Sequence, residues 1–446
     1  MQIRLSDHFS YRKLLRFTLP SIVMMIVASI YSVVDGLFVS NLVGDLALSA
    51  VNIIFPATMI IGAAGFMLGT GGSAIVARTL GEGDHELANR YFSMIIYSVI
   101  ILGVILSVAC AIFIEPIARL SGASDLLMDD CIAYGRIMML GSAAFMLQVS
   151  FQSFLVVAEK PHMGLVLSIS AGLTNMVLDY VFIAVFQMGV VGAALATVIS
   201  QFILLLCLLR LLLKKTTAYG VRLKNLKLRY RDALDIYIAG LSTFFTQVVS
   251  SLIAAAANNQ LLRYENYFAV GAYSAINITY SVVLMPVFGI GQGSQPIIGY
   301  NYGAKFYARA REALYKSLLL AFLIGIGGWL LFHLQSVEVM SAITNGDGRI
   351  MSYAADGLEK LTLLFPLATV QAVGQVYFQS IGKPKKTLLL SVLRQTVFLI
   401  PMLYILPQFW GTDGVWYAIP VAEFLSLLCT GSFIAVENYR MRKYLG

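Results

Sequence analysis

The sequence predicts an all-α integral membrane protein with twelve transmembrane helices in two six-helix lobes, related by a pseudo-twofold axis along the membrane normal. Three observations predict this class. Hydrophobic residues make up 59% of the chain and charged residues 12%, and the mean hydropathy is +0.81, more apolar surface than one soluble core can bury. Twelve segments are near the roughly 20 apolar residues that a spanning helix needs. The second half of the chain also repeats the first.

The twelve predicted helices are apolar segments separated by polar or basic turns. The first lacks a small-residue cleavage site and is long enough to remain as a helix, so we expect no cleavable signal. Because twelve is an even number, both ends of the chain are expected on one side of the membrane. The segments span approximately residues 14–38, 47–76, 91–114, 131–157, 163–185, 190–213, 233–257, 270–298, 313–333, 358–381, 387–407 and 414–436.

Lys and Arg residues indicate which side of the membrane each turn faces. Twenty-five of them lie on the face that carries both chain ends, four lie on the opposite face, and Arg136 and Arg394 lie inside segments. Cytoplasmic loops are enriched in Lys and Arg, so both termini are predicted to be cytoplasmic. This asymmetry explains the net charge of +8 without a nucleic-acid partner, and it allows contact with anionic lipid headgroups.

An internal repeat divides the chain. Six helices per copy is an even number, so both copies share one orientation in the membrane. The predicted parts are an N-terminal lobe (1–213), a basic cytoplasmic linker (214–231) and a C-terminal lobe (232–446). Three groups of residues recur at an offset of 221 to 223: Gly71-Gly72-Ser73 with Gln292-Gly293-Ser294, Lys160-Pro161 with Lys383-Pro384, and Gly189, Gly192 and Ala196 with Gly411, Gly414 and Ala418.

Two similar lobes that face each other enclose a central cavity, an architecture that lets one site open alternately to the two sides of the membrane. The repeat therefore favours a transporter. The alternative is a duplicated helical bundle that has no moving part.

Two acids stand out inside the apolar segments. Asp35 and Asp179 lie in long hydrophobic stretches of the first half, and the matching stretches of the second half carry no acid. A carboxylate in hydrocarbon is costly unless it has a partner or a function, so acids confined to one half point to an ion-handling site.

Other polar residues lie one helical turn from these acids or from each other. Tyr31 is four residues before the first aspartate, and Asn175 is four residues before the second. Thr197 and Gln201 have the same spacing on segment six, so each pair shares one helix face. If segments one, five and six pack together, these side chains meet the two carboxylates in one pocket.

Such a pocket has two possible uses. Hard oxygen ligands suit a small hard cation such as Na⁺, whereas burial and a like-charged neighbour allow a carboxylate to take up a proton. The residues leave this choice open. The alternative is structural: Asp179 accepts hydrogen bonds from Asn175 and from neighbouring helices, which leaves Asp35 without a role.

A third intramembrane acid, Glu423, lies on segment twelve, and we interpret it as half of a buried ion pair with Arg394 on segment eleven. A role for Glu423 in the cavity is the alternative. Four glutamines form pairs spaced by one turn, which either line the cavity or bridge helices: Gln148 with Gln152, and Gln371 with Gln375.

Four stretches resemble the multidrug and toxic compound extrusion (MATE) family: SIYSVVDGLFVSNLVG, GTGGSAIVARTLGEGD, its echo GQGSQPIIGYNYGA, and TNMVLDY. The resemblance covers essentially the whole chain, and within the family it is strongest to the DinF-type branch. It implies an ion-coupling site at Asp35, Asn175, Asp179 and Thr197, able to take H⁺ or Na⁺. It also implies that the first helix bends at Pro20.

The resemblance further implies the activity: secondary active export of amphipathic organic cations, coupled to the inward flow of protons or sodium ions. No cofactor other than the coupling ion is expected. The predicted setting is the cytoplasmic membrane of a prokaryote, where the protein is a multi-pass monomer among lipids. An enzyme is not expected, since the chain shows no metal cluster, no Ser/His pair within one segment and no nucleotide-binding loop.

Alternative functions make different demands on the sequence. A flippase for lipid-linked saccharides would line its cavity with Lys and Arg, and only Arg136 and Arg394 lie inside segments. An exporter of other metabolites would differ only in substrate. A channel would need polar faces in both lobes, whereas the acids here are in one. The family's other bacterial branch uses acids on segments seven and ten, which lack a central carboxylate here.

Overall fold

The structure is a computed structural model that describes residues 3–213, 230–344 and 348–443. Over these ranges the chain is helical and contains no strand, which confirms the predicted all-α class. Most of the predicted basic linker, 214–231, lies outside the described residues.

Within residues 3–213, the first copy of the repeat contains seven α-helices and one π-helix. They are α1 (Tyr11–Leu42), α2 (Asp45–Gly81), α3 (His85–Ile112), α4 (Ile114–Leu120), α5 (Met128–Val157), α6 (Pro161–Asp179), π1 (Tyr180–Val185) and α7 (Gly189–Leu213).

The second copy contains ten α-helices and one π-helix within its described residues. They are α8 (Tyr230–Tyr264), α9 (Tyr267–Gly303), α10 (Tyr307–Leu334), α11 (Ser336–Ile343), α12 (Gly348–Leu361), α13 (Phe365–Ser380), α14 (Pro384–Val392), π2 (Leu393–Leu399), α15 (Ile400–Ile405), α16 (Pro407–Trp410) and α17 (Thr412–Lys443).

The described helices provide the predicted number of membrane spans. Eleven are long and apolar enough to cross a bilayer, and α12 and α13 together form a twelfth that bends by 58°. The prediction of a single helix over the tenth segment, 358–381, is therefore wrong, because the helix is interrupted between Leu361 and Phe365. Pro366 at the start of α13 has no backbone N–H and is tolerated in a first helical turn. The short helices α4 and α11 were not predicted, because 7 and 8 residues are too few to give an amphipathic pattern.

The backbone confirms the internal repeat. Helices α2, α3 and α4 begin at residues 45, 85 and 114, and α9, α10 and α11 begin 222 residues later, at 267, 307 and 336. Left-handed backbone positions recur in the same register. These pairs are Gly83 (φ 85°) with Lys305 (φ 61°), Glu159 (φ 62°) with Gly382 (φ 72°), and Gly189 (φ 58°) with Gly411 (φ 57°).

Two compact units divide the chain, and their boundaries cut two helices. The first unit comprises residues 1–7 and 23–247, and the second comprises 8–22 and 248–446. The beginning of α1 thus belongs to the second unit, and the beginning of α8 belongs to the first. The predicted lobes, 1–213 and 232–446, describe the covalent repeat, and that division stays a prediction.

Glycines explain the packing of these helix beginnings. In the first unit, a Cβ on Gly240 of α8 would lie 1.9 Å from the Met67 carbonyl oxygen of α2, and one on Gly71 would lie 2.4 Å from the Gly240 nitrogen. In the second unit, a Cβ on Gly289 of α9 would lie 2.5 Å from the Ile22 Cα atom of α1. The helices touch backbone to backbone at both places, which only glycine allows.

Pro20 lies inside α1, which is helical on both sides of it. The unit boundary follows two residues later, after Ile22. Proline leaves a backbone carbonyl without its helical partner and weakens the helix locally. The bend at Pro20 stays a prediction, and the boundary between units falls close to it.

Candidate functional site

The first unit brings the two intramembrane aspartates together. Asp35 lies on α1 beyond the unit boundary, and Asp179 is the last residue of α6. Their carboxyl groups interact directly, as like charges and as hydrogen-bonding partners when a proton is present. Asp179 is 0% exposed. Sequence separation gave no information on this contact, which depends on how α1 and α6 are packed.

The carboxylate oxygens lack hydrogen-bond donors. Both side-chain oxygens of Asp179 and the Oδ1 atom of Asp35 are buried and accept no hydrogen bond from any described residue. The Oδ1 atom of Asn175 is also buried and accepts no hydrogen bond from any described residue. Buried acceptors without donors are costly, so this group of oxygens is suited to a proton or a small cation.

An amide and a hydroxyl complete this group. Asn175 lies one turn before Asp179 on α6 and is 2% exposed. Its Nδ2 atom donates a hydrogen bond of 3.4 Å to the Thr197 hydroxyl of α7. The donating amide nitrogen faces Thr197, which leaves the amide oxygen available. Gln201, one turn further on α7, is also buried.

Two tyrosines flank the acids. Tyr31 interacts electrostatically with Asp35, and Tyr134 of α5 interacts with both aspartates. Helix α6 approaches Tyr31 at Gly172, where an added Cβ would lie 3.7 Å from the Tyr31 Cβ atom. Sequence reasoning missed Tyr134, since a single aromatic residue in an apolar segment carries no signal of its own.

The chain changes helix type directly after Asp179. Residues 180–185 form π1, and the Phe186 N–H donates to the Val181 carbonyl at 2.9 Å, five residues back. π-Helical turns are rare and often occur at functional sites. The wider turn here ends α6 at the residue that carries the buried carboxylate.

The four glutamines predicted for the cavity or for bridging are placed as follows. Gln152 donates to the Ser168 hydroxyl of α6 at 3.0 Å, Gln371 to the Ser426 hydroxyl of α17 at 2.6 Å, and Gln375 to the Ser391 hydroxyl of α14 at 2.5 Å. Each of these three bridges two helices. The Oε1 atom of Gln148 is buried without a donor among the described residues, and a cavity role for any of the four stays a prediction.

The third intramembrane acid is paired as expected. Arg394 of π2 donates to the Glu423 Oε1 atom of α17 from Nε at 2.8 Å and from Nη2 at 2.5 Å. The predicted ion pair is therefore confirmed, within the second unit. The other acids near the tenth predicted segment also have partners: Asp356 pairs with Lys360 at 2.6 Å, and Glu359 accepts from the Ser336 hydroxyl at 2.6 Å.

Among the described residues, no group of three or more His, Cys, Asp or Glu side chains is placed to hold a metal ion. The site on α1, α6 and α7 instead offers two carboxyl groups, an amide oxygen and a hydroxyl. Such a set is able to exchange a proton or to bind a weakly held monovalent cation.

The repeated apolar spans define a multi-pass membrane protein that carries buried acids inside its membrane-spanning segments. A family model supplies the particular class: MatE matches residues 20–181 and 242–405, which is more than half of the chain and one match in each copy of the repeat. The chain belongs to the MatE family, and the prediction of a MATE transporter is confirmed.

Relatives and solved structures agree with this assignment. The multidrug export protein MepA of Staphylococcus saprophyticus is 24% identical over 424 residues, covering 94% of this chain and 92% of MepA. A crystal structure of MATE in complex with MaL6 has a TM-score of 0.92 at 24% identity, over 98% of both chains. A ligand complex of the MATE multidrug transporter DinF-BH has a TM-score of 0.88 at 32% identity, over 97% of this chain and 98% of that one. The many spans and these bacterial relatives place the protein in a plasma membrane.

Proposed function

We propose that this protein is a secondary active antiporter that exports amphipathic organic cations in exchange for protons or sodium ions, with its coupling site at Asp35, Asn175, Asp179 and Thr197. One observation carries the proposal. Two intramembrane carboxyl groups interact directly, and their buried oxygens accept no hydrogen bond from the described residues.

Electrostatics gives the exchange a physical basis. Two like charges about 4 Å apart repel by about 4 kcal/mol at an effective dielectric constant of about 20. A proton or a sodium ion relieves that repulsion, and so does an organic cation near the ionised pair. The two ligands therefore compete for the same negative charge, and mutually exclusive binding at one site couples their movements.

The direction of transport follows from the ion gradient. When the site faces outward, an entering ion neutralises the carboxylates and lowers the affinity for the organic cation, which leaves. When the site faces the cytoplasm, the ion dissociates and the restored charge attracts the next substrate. The membrane potential adds about 2.3 kcal/mol per elementary charge per 100 mV, provided that the exchange moves net charge.

The substrate class is proposed from relatives. MepA is named a multidrug export protein, and DinF-BH is named a multidrug transporter. A pair of buried acids provides the electrostatic complement of a positively charged drug. The excess of basic residues at one face supports cytoplasmic termini.

The deciding experiment uses proteoliposomes loaded with a fluorescent organic cation. Export is measured under an imposed pH gradient and, separately, under an imposed sodium gradient. We expect one of the two gradients to drive export by the wild-type protein, and Asp35→Asn to reduce that export to the level of protein-free vesicles while the protein remains folded.

The matched control is Glu86→Gln, which neutralises an exposed acid in the first turn of α3. This variant should export like the wild type, since Glu86 is solvated and α3 contributes no residue to the proposed site. Normal gradient-driven export by Asp35→Asn would refute the proposal.

A further inference from the structure

A second buried carboxylate lies in the second unit, outside the proposed exchange. The Glu423 side chain is 5% exposed. Arg394 directs two donors, Nε and Nη2, to the same oxygen of Glu423, Oε1. Its other oxygen, Oε2, is buried and accepts no hydrogen bond from the described part of the chain. The pair is thus not the usual fork, in which each carboxylate oxygen receives one donor.

Further oxygens without donors belong to the same neighbourhood. Gln371 of α13 is 0% exposed; its Nε2 atom donates to Ser426, one turn after Glu423, and its Oε1 atom accepts nothing from the described residues. Gln395, next to Arg394 on π2, also has a buried Oε1 atom without a donor there.

The phenol of Tyr280 on α9 interacts electrostatically with both Glu423 and Arg394. Tyr280 of α9 therefore joins Arg394 of π2 and Glu423 of α17, and Gln371 of α13 is linked to them through Ser426. Arg394 and Tyr280 are both titratable groups that interact with Glu423. The remaining neighbours named above are uncharged.

A carboxylate, the amide oxygen of Gln371 and a phenol supply hard oxygen atoms, the kind that small monovalent cations prefer. An ion pair that served only to pack helices together would be unfavourable with this geometry. Its desolvation is costly, and it leaves acceptors buried without donors. The arrangement is better explained if the guanidinium of Arg394 occupies the position that a free cation would otherwise occupy.

We propose that the Glu423 cluster is a cation site whose resident cation is the guanidinium of Arg394. The second unit consequently holds its own tethered counter-ion and takes no mobile ion. The first unit, whose two acids form no ion pair with a basic side chain among the described residues, remains open to one. Removing the charge of Arg394 should open the cluster to a small monovalent cation, either Na⁺ or a proton.

The test is made in an Asp35→Asn, Asp179→Asn background, which removes the acids of the first unit. In the first series, the melting temperature of the purified protein is measured at fixed ionic strength while NaCl is replaced stepwise by choline chloride. In the second series, it is measured without sodium between pH 6 and pH 9. When Arg394→Gln is added to this background, the melting temperature should rise by at least about 2 °C as sodium is added or as the pH falls, and the background should show no such rise. A response to sodium would identify the occupant as Na⁺, and a response to pH would identify it as a proton.

Two matched variants separate this site from a general effect of the mutation. Arg394→Lys keeps a tethered cation and should show no added dependence on sodium or pH. Arg394→Gln combined with Glu423→Gln removes the carboxylate and should lose the dependence again. A folded Arg394→Gln protein that responds like its background, or a response that persists without Glu423, would overturn the proposal.

Chemical rescue provides a readout if Arg394→Gln is too unstable to purify. In Arg394→Ala, millimolar guanidinium should raise the melting temperature, and sodium should compete with it, because both occupy the same cluster. The same additions should leave Arg394→Ala with Glu423→Gln unchanged. Stabilisation of both variants by guanidinium would contradict the inference.

Discussion

At the scale of single residues, the side-chain amide of Asn175 orients one of the oxygen atoms at the site. Asn175 turns its nitrogen toward Thr197, and its oxygen is left buried without a donor among the described residues. An aspartate at this position could not donate, and an alanine would offer no oxygen. The residue type therefore matters for both of the bonds that it can make.

Replacing this amide should weaken ion binding. In Asn175→Ala the site loses one oxygen and the bond that orients Thr197, so we expect the ion concentration that half-saturates export to rise about two- to tenfold, the effect of one net hydrogen bond. Transport assays at graded ion concentrations measure this. Thr174→Ala is the control, since the neighbouring hydroxyl donates to the Ser170 carbonyl of its own helix. An unchanged requirement in Asn175→Ala would remove this residue from the site.

A carboxylate outside the spans predicts a pH effect on stability. Glu159 follows α5, and its Oε1 atom accepts the Leu5 N–H at 2.7 Å. Burial raises the pKa of Glu159 above its ordinary value of 4.5, against the opposing effect of the Leu5 hydrogen bond. A raised pKa means that the ionised form is disfavoured in the folded state, so this contribution is present below about pH 4.5 and is lost as the pH rises through the folded-state pKa.

Glu159→Gln keeps an oxygen for the Leu5 N–H and has no charge to bury. We expect the variant and the wild type to melt alike near pH 4.5, and the variant to be more stable at pH 7 by less than about 1 kcal/mol, because solvent screens a partly exposed group. Melting curves across this range test the sign. A less stable variant at pH 7 would show that the bond to the ionised carboxylate outweighs its burial.

At the scale of elements, glycines determine which helix surfaces come into contact. Gly71 and Gly293 both belong to the repeated motif, in which the sequence aligns Gly71 with Gln292 and Gly72 with Gly293. In the structure each lies against another helix: a Cβ on Gly71 would lie 2.4 Å from the Gly240 nitrogen of α8, and a Cβ on Gly293 would lie 2.8 Å from the Thr18 Cγ2 atom of α1. Both contacts favour a residue without a side chain.

A methyl group at Gly240 should therefore be poorly tolerated. Its Cβ atom would lie 1.9 Å from the Met67 carbonyl oxygen, so the helices must move apart, and we expect a loss of about 1–3 kcal/mol or more. Thermal unfolding of Gly240→Ala measures the change. Gly431→Ala is the control, because a Cβ there meets nothing within 4 Å, and it should be neutral or slightly stabilising. Equal stability of the two variants would argue against the backbone contact.

Helix existence was more predictable than helix continuity. Hydropathy placed the spans, since each needs about 20 apolar residues. It could not show the 58° bend between α12 and α13. Nor could it show the two π-helical turns, which begin directly after Asp179 in the first copy and directly after Val392 in the second. These features depend on how neighbouring helices satisfy the local backbone, and apolar composition is the same in bent and straight spans.

At the scale of the whole molecule, the covalent repeat and the compact units differ. The repeat runs in register at 222 residues, yet the first unit includes the beginning of α8 and the second includes the beginning of α1. The helices that pass from one unit to the other are α1, after Ile22, and α8, after Gln247. Pro20 lies close to the first of these points and weakens the helix locally.

Membrane orientation is a property of the whole chain. The excess of Lys and Arg on one face predicts cytoplasmic termini. In a cysteine-free background, Ser124→Cys should react with a membrane-impermeant maleimide in intact cells, whereas Glu86→Cys should react only after permeabilisation. Both positions are exposed. The reverse pattern of labelling would show that the chain has the opposite orientation.

The amino-acid sequence by itself determined the membrane class, the number of spans, the repeat and the residue types of the candidate site, because hydropathy, residue spacing and the cost of an intramembrane acid are properties of the chain alone. Only the tertiary structure decided that Asp35 meets Asp179, that Tyr134 joins them, that Arg394 pairs with Glu423 through one oxygen, and that α1 and α8 each belong to two units. Those facts depend on side chains far apart in sequence coming together, and helix packing, rather than local pattern, sets which of them do.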